Sequence, residues 1–201
     1  MLFLKLMSKI NCILFIVFLS LLSCNGRPEL IINTTGVSLD LAQYRSEQVS
    51  NVVYDLRFYI PSKKEQPITS KLKLTATITD LTNPLYLDFK EDSKNLQYVS
   101  VNQQIIDIQH ELEHLIIPQE YLVLGQNQIT IDFIAGDLSL NRNDDYLYTL
   151  LVPDRARTLF PCFDQPNIKA NYNLSIRVPK DWTVLAGATL NTRANDGVNS
   201  T

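Results

Sequence analysis

The amino-acid sequence predicts an all-β fold, an antiparallel β-sandwich or saddle of two sheets, preceded by a signal peptide and a short helix. Three observations point there. Segments in which apolar and polar residues alternate recur from Asn51 onward, the period of a half-buried strand. Gly, Pro and Asn punctuate them at near-regular intervals, as turns between short strands do. One proline-rich stretch, Tyr146 to Ala170 (YLYTLLVPDRARTLFPCFDQPNIKA), breaks the pattern while still carrying aromatic residues. The 201 residues suffice for one domain, and a hydrophobic share of 45% permits a packed core. A net charge of −3 with no long basic run argues against a nucleic-acid partner.

Taken in order, residues 1–23 read as a signal peptide. Lys5 and Lys9 supply its positive start, and Ile10 to Leu22 is an apolar run shorter than the ~20 residues that span a bilayer as a helix. The run ends in Leu21-Leu22-Ser23-Cys24, which resembles a bacterial lipobox. There Cys24 becomes the acylated N-terminus, and the acyl chains hold a secreted domain at a membrane, in the periplasm or at the cell surface. The alternative is an ordinary signal peptide with an incidental cysteine. With the lipobox, Cys12 leaves with the signal and Cys24 is modified. Cys162 is then the remaining thiol, and no intrachain disulfide forms. Residues 24–36 read as a tether, and 37–201 as the β domain.

Ser38 is placed to cap a short helix, Leu39 to Gln48. From Asn51 the period becomes two: Tyr54, Leu56, Phe58 and Ile60 share one face. Lys71–Thr79 is the cleanest strand, with Leu72, Leu74, Ala76 and Ile78 on its apolar side. Further strands are expected at Leu85–Phe89, Leu96–Val101, Ile105–His110, Leu112–Ile117, Gln128–Ile134, Tyr172–Val178 and Trp182–Ala188, with a turn at Gly125-Gln126-Asn127. The polar end, Asn191 to Thr201, reads as the start of a hairpin loop with no strand to answer it, so the domain is expected to be incomplete at its C-terminal end.

The stretch from Tyr146 to Ala170 reads as an ordered connection pinned on the core. Its prolines exclude regular structure, and its buried aromatics demand partners for the backbone. Ala156, Arg157, Phe160, Pro161, Cys162, Phe163, Asp164, Pro166, Lys169 and Ala170 closely resemble the signature of the aminopeptidase N family of zinc metallopeptidases. Gln165 departs from it, since the family usually has Glu there. The likeness extends more weakly from about Gly36 to Ala188. It implies the N-terminal β domain of a membrane-anchored exopeptidase, a domain that walls the active-site cavity without catalysing. Zinc and peptide substrates would belong to a catalytic domain that this chain does not contain; no cofactor is expected in the chain itself. In many members a Gln and a Glu just before the signature hold the substrate's amine. Those positions fall on Leu150 and Val152, neither of which can bind an amine, so no substrate-binding residue carries over. Arg155 and Arg157 are expected to pair with Asp154 or Asp164 and tie the connection to the sheets. Cys162 is expected to be a small buried hydrophobe. The alternative reading is a non-catalytic, lipid-anchored β module that binds peptide or protein at the cell surface.

His110-Glu111-Leu112-Glu113-His114 is a literal HExxH. On a helix its histidines are neighbours that share a zinc. On a strand they are ~13 Å apart and useless for that purpose. Ile106, Ile108, His110, Leu112, His114 and Ile116 alternate with polar residues, which predicts a strand or hairpin with two half-buried histidines. The resembling family also needs a further Glu ligand, and Phe133 stands in its place. The motif is therefore read as a false positive: no catalytic, substrate-binding or metal residue is assigned, and Cys24 is the one modification site.

Overall fold

The computed structural model describes residue 30, residues 32–194 and residues 199–200. The expected signal peptide and Cys24 lie outside the described residues. Helix α1 spans Leu39–Gln48, and the Ser38 hydroxyl accepts a hydrogen bond from Leu41 N at 3.2 Å, as its cap position requires. Leu41, Arg45 and Gln48, spaced to share a helix face, are its buried residues. The helix runs directly into β1 (Val49–Tyr59), where Asn51 takes a positive φ of 52° at a bulge. Asn tolerates that left-handed conformation better than most residues.

Strand β1 pairs antiparallel with β2 (Thr69–Ile78), and β2 with β8 (Gly125–Ile134), in registers that set Leu56 opposite Leu72 and Leu72 opposite Ile131. With β4 (Leu96–Val101), β5 (Gln104–Ile105), β11 (Ala170–Pro179) and β12 (Asn199–Ser200) they form a seven-stranded sheet ordered β12-β11-β1-β2-β8-β4-β5. The β1–β11 pairing is parallel, which the expected antiparallel architecture did not include. A three-stranded antiparallel sheet joins β3 (Leu85–Asp88), β7 (His114–Ile117) and β6 (Gln109–Glu111). A small hairpin pairs β9 (Leu140–Arg142) with β10 (Leu147–Thr149). One apolar core joins both larger sheets: Leu85, Leu87, Leu115 and Ile117 bury against the face that carries Leu72, Ile131 and Phe133. Phe133 meets Phe58 and Phe89 edge-on, with ring centroids 6.5 and 5.9 Å apart.

Three expected elements need correction. Gly125-Gln126-Asn127 belongs to β8, because the buried Asn127 amide accepts from Val123 N (2.9 Å) and donates to Val123 O and Gly125 O, moving the turn earlier. The stretch from Ile105 to His110 is not one strand: it leaves the large sheet after β5 and enters the small one at β6, pivoting on buried Ile106. Trp182 to Ala188 forms no strand; a turn bond from Trp182 N to Pro179 O lifts it off the sheet, and Leu185 is left almost wholly exposed. The β9–β10 hairpin was not anticipated, and neither was β12, which pairs antiparallel with β11 within the end read as an unanswered loop.

Candidate functional site

The connection read from the sequence is fastened at four levels. A short 3₁₀ turn, Ala156–Thr158, approaches Gly136 so closely that a Cβ there would collide with Thr158 O and the Glu91 carboxylate. Phe160 then enters the core edge-on to Tyr54, Phe58 and Tyr172. Cys162 exchanges two backbone hydrogen bonds with Asp88, adding one rung to the edge of β3. Phe163 N donates to the buried Tyr54 hydroxyl at 2.9 Å. Burial pushes the Cys162 thiol well above its ordinary pKa, so it is an inert hydrophobe rather than a nucleophile. Pro166 and Lys169 are exposed, and Ala170 opens β11.

Beneath the connection lies a buried polar cluster. Arg45, Asp88 and His114 are each 0% exposed. Arg45 Nη1 donates to Asp88 Oδ1 (2.8 Å) and Tyr86 O (3.1 Å), while its Nε donates to Gln165 Oε1 (2.7 Å). The guanidinium also sits 5.7 Å over the Phe163 ring, a cation–π contact. Asp88 Oδ2 accepts from Asp164 N, and Oδ1 lies 3.0 Å from His114 Nδ1. Burial alone would raise the Asp88 pKa, but the His114 hydrogen bond and Arg45 outweigh it and hold the carboxyl below its ordinary value.

The cluster also accounts for Gln165. Its amide donates to Ala42 O (3.0 Å) and Asn167 Oδ1 (2.7 Å) while its oxygen accepts from Arg45. A carboxylate could not make the first two bonds and would place a second anion by the single arginine that pairs Asp88. Gln165→Glu is therefore expected to lower stability by about 1–3 kcal/mol, seen as a lower urea midpoint at pH 7. An unchanged midpoint would mean that the two donor bonds contribute nothing.

Arg157 centres a second network, as expected, whereas Arg155, expected to share it, is exposed. Arg157 pairs with Asp154 and lies 3.4 Å from Glu113 and 3.6 Å from Asp164, and Lys90 joins Glu113 at 3.2 Å. Burial, opposed by the hydrogen bond from Arg157 N, raises the Asp164 carboxyl.

The HExxH residues form a hairpin. Glu111 pairs with His114 and His110 with Leu115, so strand alternation puts the two imidazoles on opposite faces. His110 Nε2 is 2.8 Å from Phe89 O, and His114 is committed to Asp88. They share no metal position, and no cluster of three or more metal-ligating side chains occurs among the described residues. The turn places Leu112 (φ 50°) and Glu113 (φ 69°) in the left-handed region. For leucine this is strained by about 1–2 kcal/mol; the Glu113 ion pairs and its carbonyl, which accepts from Phe89 N, hold it there. Leu112→Asn is expected to raise stability by about 0.5–1 kcal/mol, visible as a melting point about 1–4 °C higher.

Leu150 and Val152 stand well out from the surface, 62% and 84% exposed. Behind them an apolar groove of about 420 Å³ runs between the β9–β10 hairpin and β11, lined by Phe58, Leu147, Leu151, Phe160, Leu174 and Ile176 among others. Sequence reasoning missed Arg45 and Asp88. Two signals were available: Arg45 sits at the core-facing spacing of α1, and Asp88 interrupts the apolar run LYLDF, where a charge requires a partner.

The architecture is a mainly β domain in which a proline-rich connection crosses from the small hairpin to the large sheet. The model of the Peptidase M1 N-terminal domain family matches residues 49–201, and the chain belongs to that family. Leucine aminopeptidase 2-2 of Meyerozyma guilliermondii is 26% identical over 156 residues, spanning 75% of this chain and 23% of the relative. A 34-residue segment is 53% identical to glutamyl aminopeptidase of Rattus norvegicus, 17% of this chain and 4% of that protein. Among solved structures, an M1 zinc metallopeptidase from Deinococcus radiodurans superposes with a TM-score of 0.61 at 16% identity, covering 76% of this chain and 38% of the other. Aminopeptidase A of Legionella pneumophila gives 0.61 at 19% identity, covering 76% and 20%. At these identities the structural likeness is one of fold. The chain spans well under half the length of these relatives.

Proposed function

We infer that this chain serves as the non-catalytic N-terminal domain of a membrane-anchored zinc aminopeptidase, walling one side of the active-site cavity while a separate domain holds zinc and removes N-terminal residues from peptides. The observation that carries this reading is the family match over residues 49–201 together with the fastening of the signature connection at Phe160, Cys162 and Phe163. Such fastening holds residues 156–163 against the core as the border. Zinc in the catalytic domain would supply an activated water. This chain's part is to hold the border in place and exclude solvent beside it.

The test is metal content and peptidase activity of the longest polypeptide that the reading frame encodes, beside the 201-residue chain. The longer protein is expected to bind one zinc and release N-terminal residues; the shorter chain is expected to do neither, and His114→Ala leaves its metal content unchanged. A longer product without zinc or peptidase activity would sink the reading. The anchor is tested by Cys24→Ala, expected to abolish fatty-acid labelling and move the protein from the membrane to the soluble fraction.

A further inference from the structure

We propose that the outer edge of β11 takes up one further antiparallel strand, the continuation of β12 past Thr201; this rests on that part of the reading above which places the domain in a longer polypeptide. Along one side β11 pairs with β1 from Ala170 to Arg177. Along the other, among the described residues, it is paired only where Val178 and Pro179 meet Ser200 and Asn199. Arg177 O accepts from Ile60 N at 2.8 Å, so the backbone groups of Arg177 point to β1. Strand alternation sends those of Asn171, Asn173 and Ser175 the same way, and those of Tyr172, Leu174 and Ile176 to the outer edge. That edge carries none of the usual protection. Natural edge strands are kept short or bear lysine, proline or a bulge. The far edge of the sheet, β5, is only two residues long. Residues 170–176 (ANYNLSI) include no lysine, proline or glycine, and their register with β1 is unbroken.

Side chains and register select the occupant. Tyr172, Leu174 and Ile176 share the core-facing side with their partners Tyr54, Leu56 and Phe58, and they line the apolar groove. Yet Tyr172 and Leu174 remain 54% and 46% exposed, while Tyr54 and Leu56 are buried. A neighbouring strand with apolar residues at alternate positions covers both through direct cross-strand pairs. Strand β12 already sets its direction. Each residue after Ser200 falls one step further back along β11, so the third and fifth residues after Thr201 come opposite Leu174 and Tyr172. A second copy of the chain must find this edge from solution, whereas the continuing chain is tethered beside it at a high effective concentration.

The test is amide hydrogen exchange at single-residue resolution in the longest polypeptide that the reading frame encodes. The amides of Tyr172, Leu174 and Ile176 are expected to exchange as slowly as those of Asn171, Asn173 and Ser175, which already face β1. Exchange at the first three about 100-fold faster than at their neighbours, as at an unpaired edge, overturns the proposal. Protection that vanishes on dilution to the monomer also overturns it, by assigning the edge to a second copy. So does a charged residue at the third position after Thr201. Leu174→Lys gives an independent reading: it is expected to lower the melting point by several degrees, while Asn173→Lys, on the opposite face, leaves it within about 1 °C. Equal effects of the two count against the strand. Zinc content and peptidase activity of the same preparation keep the two readings apart. An active zinc enzyme with fast exchange at these amides loses the strand and keeps the proposed function; slow exchange without zinc or activity does the reverse. A reading frame that stops at Thr201 ends both.

Discussion

Arg45→Met is expected to cost about 3–5 kcal/mol, the loss that follows when one partner of a fully buried ion pair is removed. Methionine keeps much of the stem's volume and gives up the guanidinium with its contact over Phe163, so the loss reports the charged head rather than a cavity. It strands the Asp88 carboxylate, which retains only His114 and Asp164 N as partners. Asp88→Asn alone is expected to cost a similar amount by stranding the guanidinium. The double variant strands neither charge and should cost well below the sum, a coupling of ~2 kcal/mol or more. Urea unfolding followed by far-UV circular dichroism measures all three; the single tryptophan, Trp182, lies outside the core and reports poorly. A cost of under about 1 kcal/mol for Arg45→Met would mean that the pair does not form in solution.

The same cluster sets a pH dependence whose sign follows from Asp88. Its folded pKa is depressed, so its contribution is present above the unfolded value and is lost as pH falls through the folded one. Wild-type stability should therefore drop below the ordinary carboxylate range, and Asp88→Asn should flatten that drop. Asp164 acts the other way. Its pKa is raised, so its contribution is present below the unfolded value and fades as pH rises through the folded one.

Where the fold was readable, one physical signal dominated. In β1, β2 and β8, Leu56, Leu72 and Ile131 alternate with polar neighbours because each strand has one face on the core. Ser38 marked the start of α1 because an orphan N–H there needs an acceptor. Alternation through His110 and His114 read the HExxH as strand or hairpin, but not the turn at Leu112-Glu113, where tertiary ion pairs override local preference. The β9–β10 hairpin escaped because three-residue strands carry too few residues to show a period; Asn143, whose side chain accepts from Asp145 N and Tyr146 N, was its one local mark. Trp182 to Ala188 misled because strand-like composition is only a prior when nothing packs against it. Within the connection, Tyr146 and Tyr148 stand exposed, while Phe160 and Phe163 were read correctly as buried. Their anchor, Arg45 with Asp88, joins residues 43 apart in sequence, a contact that a single chain of letters does not display.

Phe160→Ala and Phe89→Ala should both be severe, but unequally. Each removes a buried ring, and such truncations cost about 3–5 kcal/mol, more where the vacated space stays closed. Phe160 is 4% exposed and touches three aromatic rings, yet it already lines the 420 Å³ groove. Its loss enlarges an opening that solvent and neighbouring side chains can enter. Phe89 is 0% exposed, packs edge-on against Phe133 and His110, and does not line that groove. Its loss leaves a hole in the close-packed core that both larger sheets share. Phe89→Ala should thus fall near the upper end of the range and Phe160→Ala near the lower, a gap of about 1–2 kcal/mol in urea unfolding. The opposite order would mean that the signature connection, rather than the seam between the sheets, carries the densest packing in the domain.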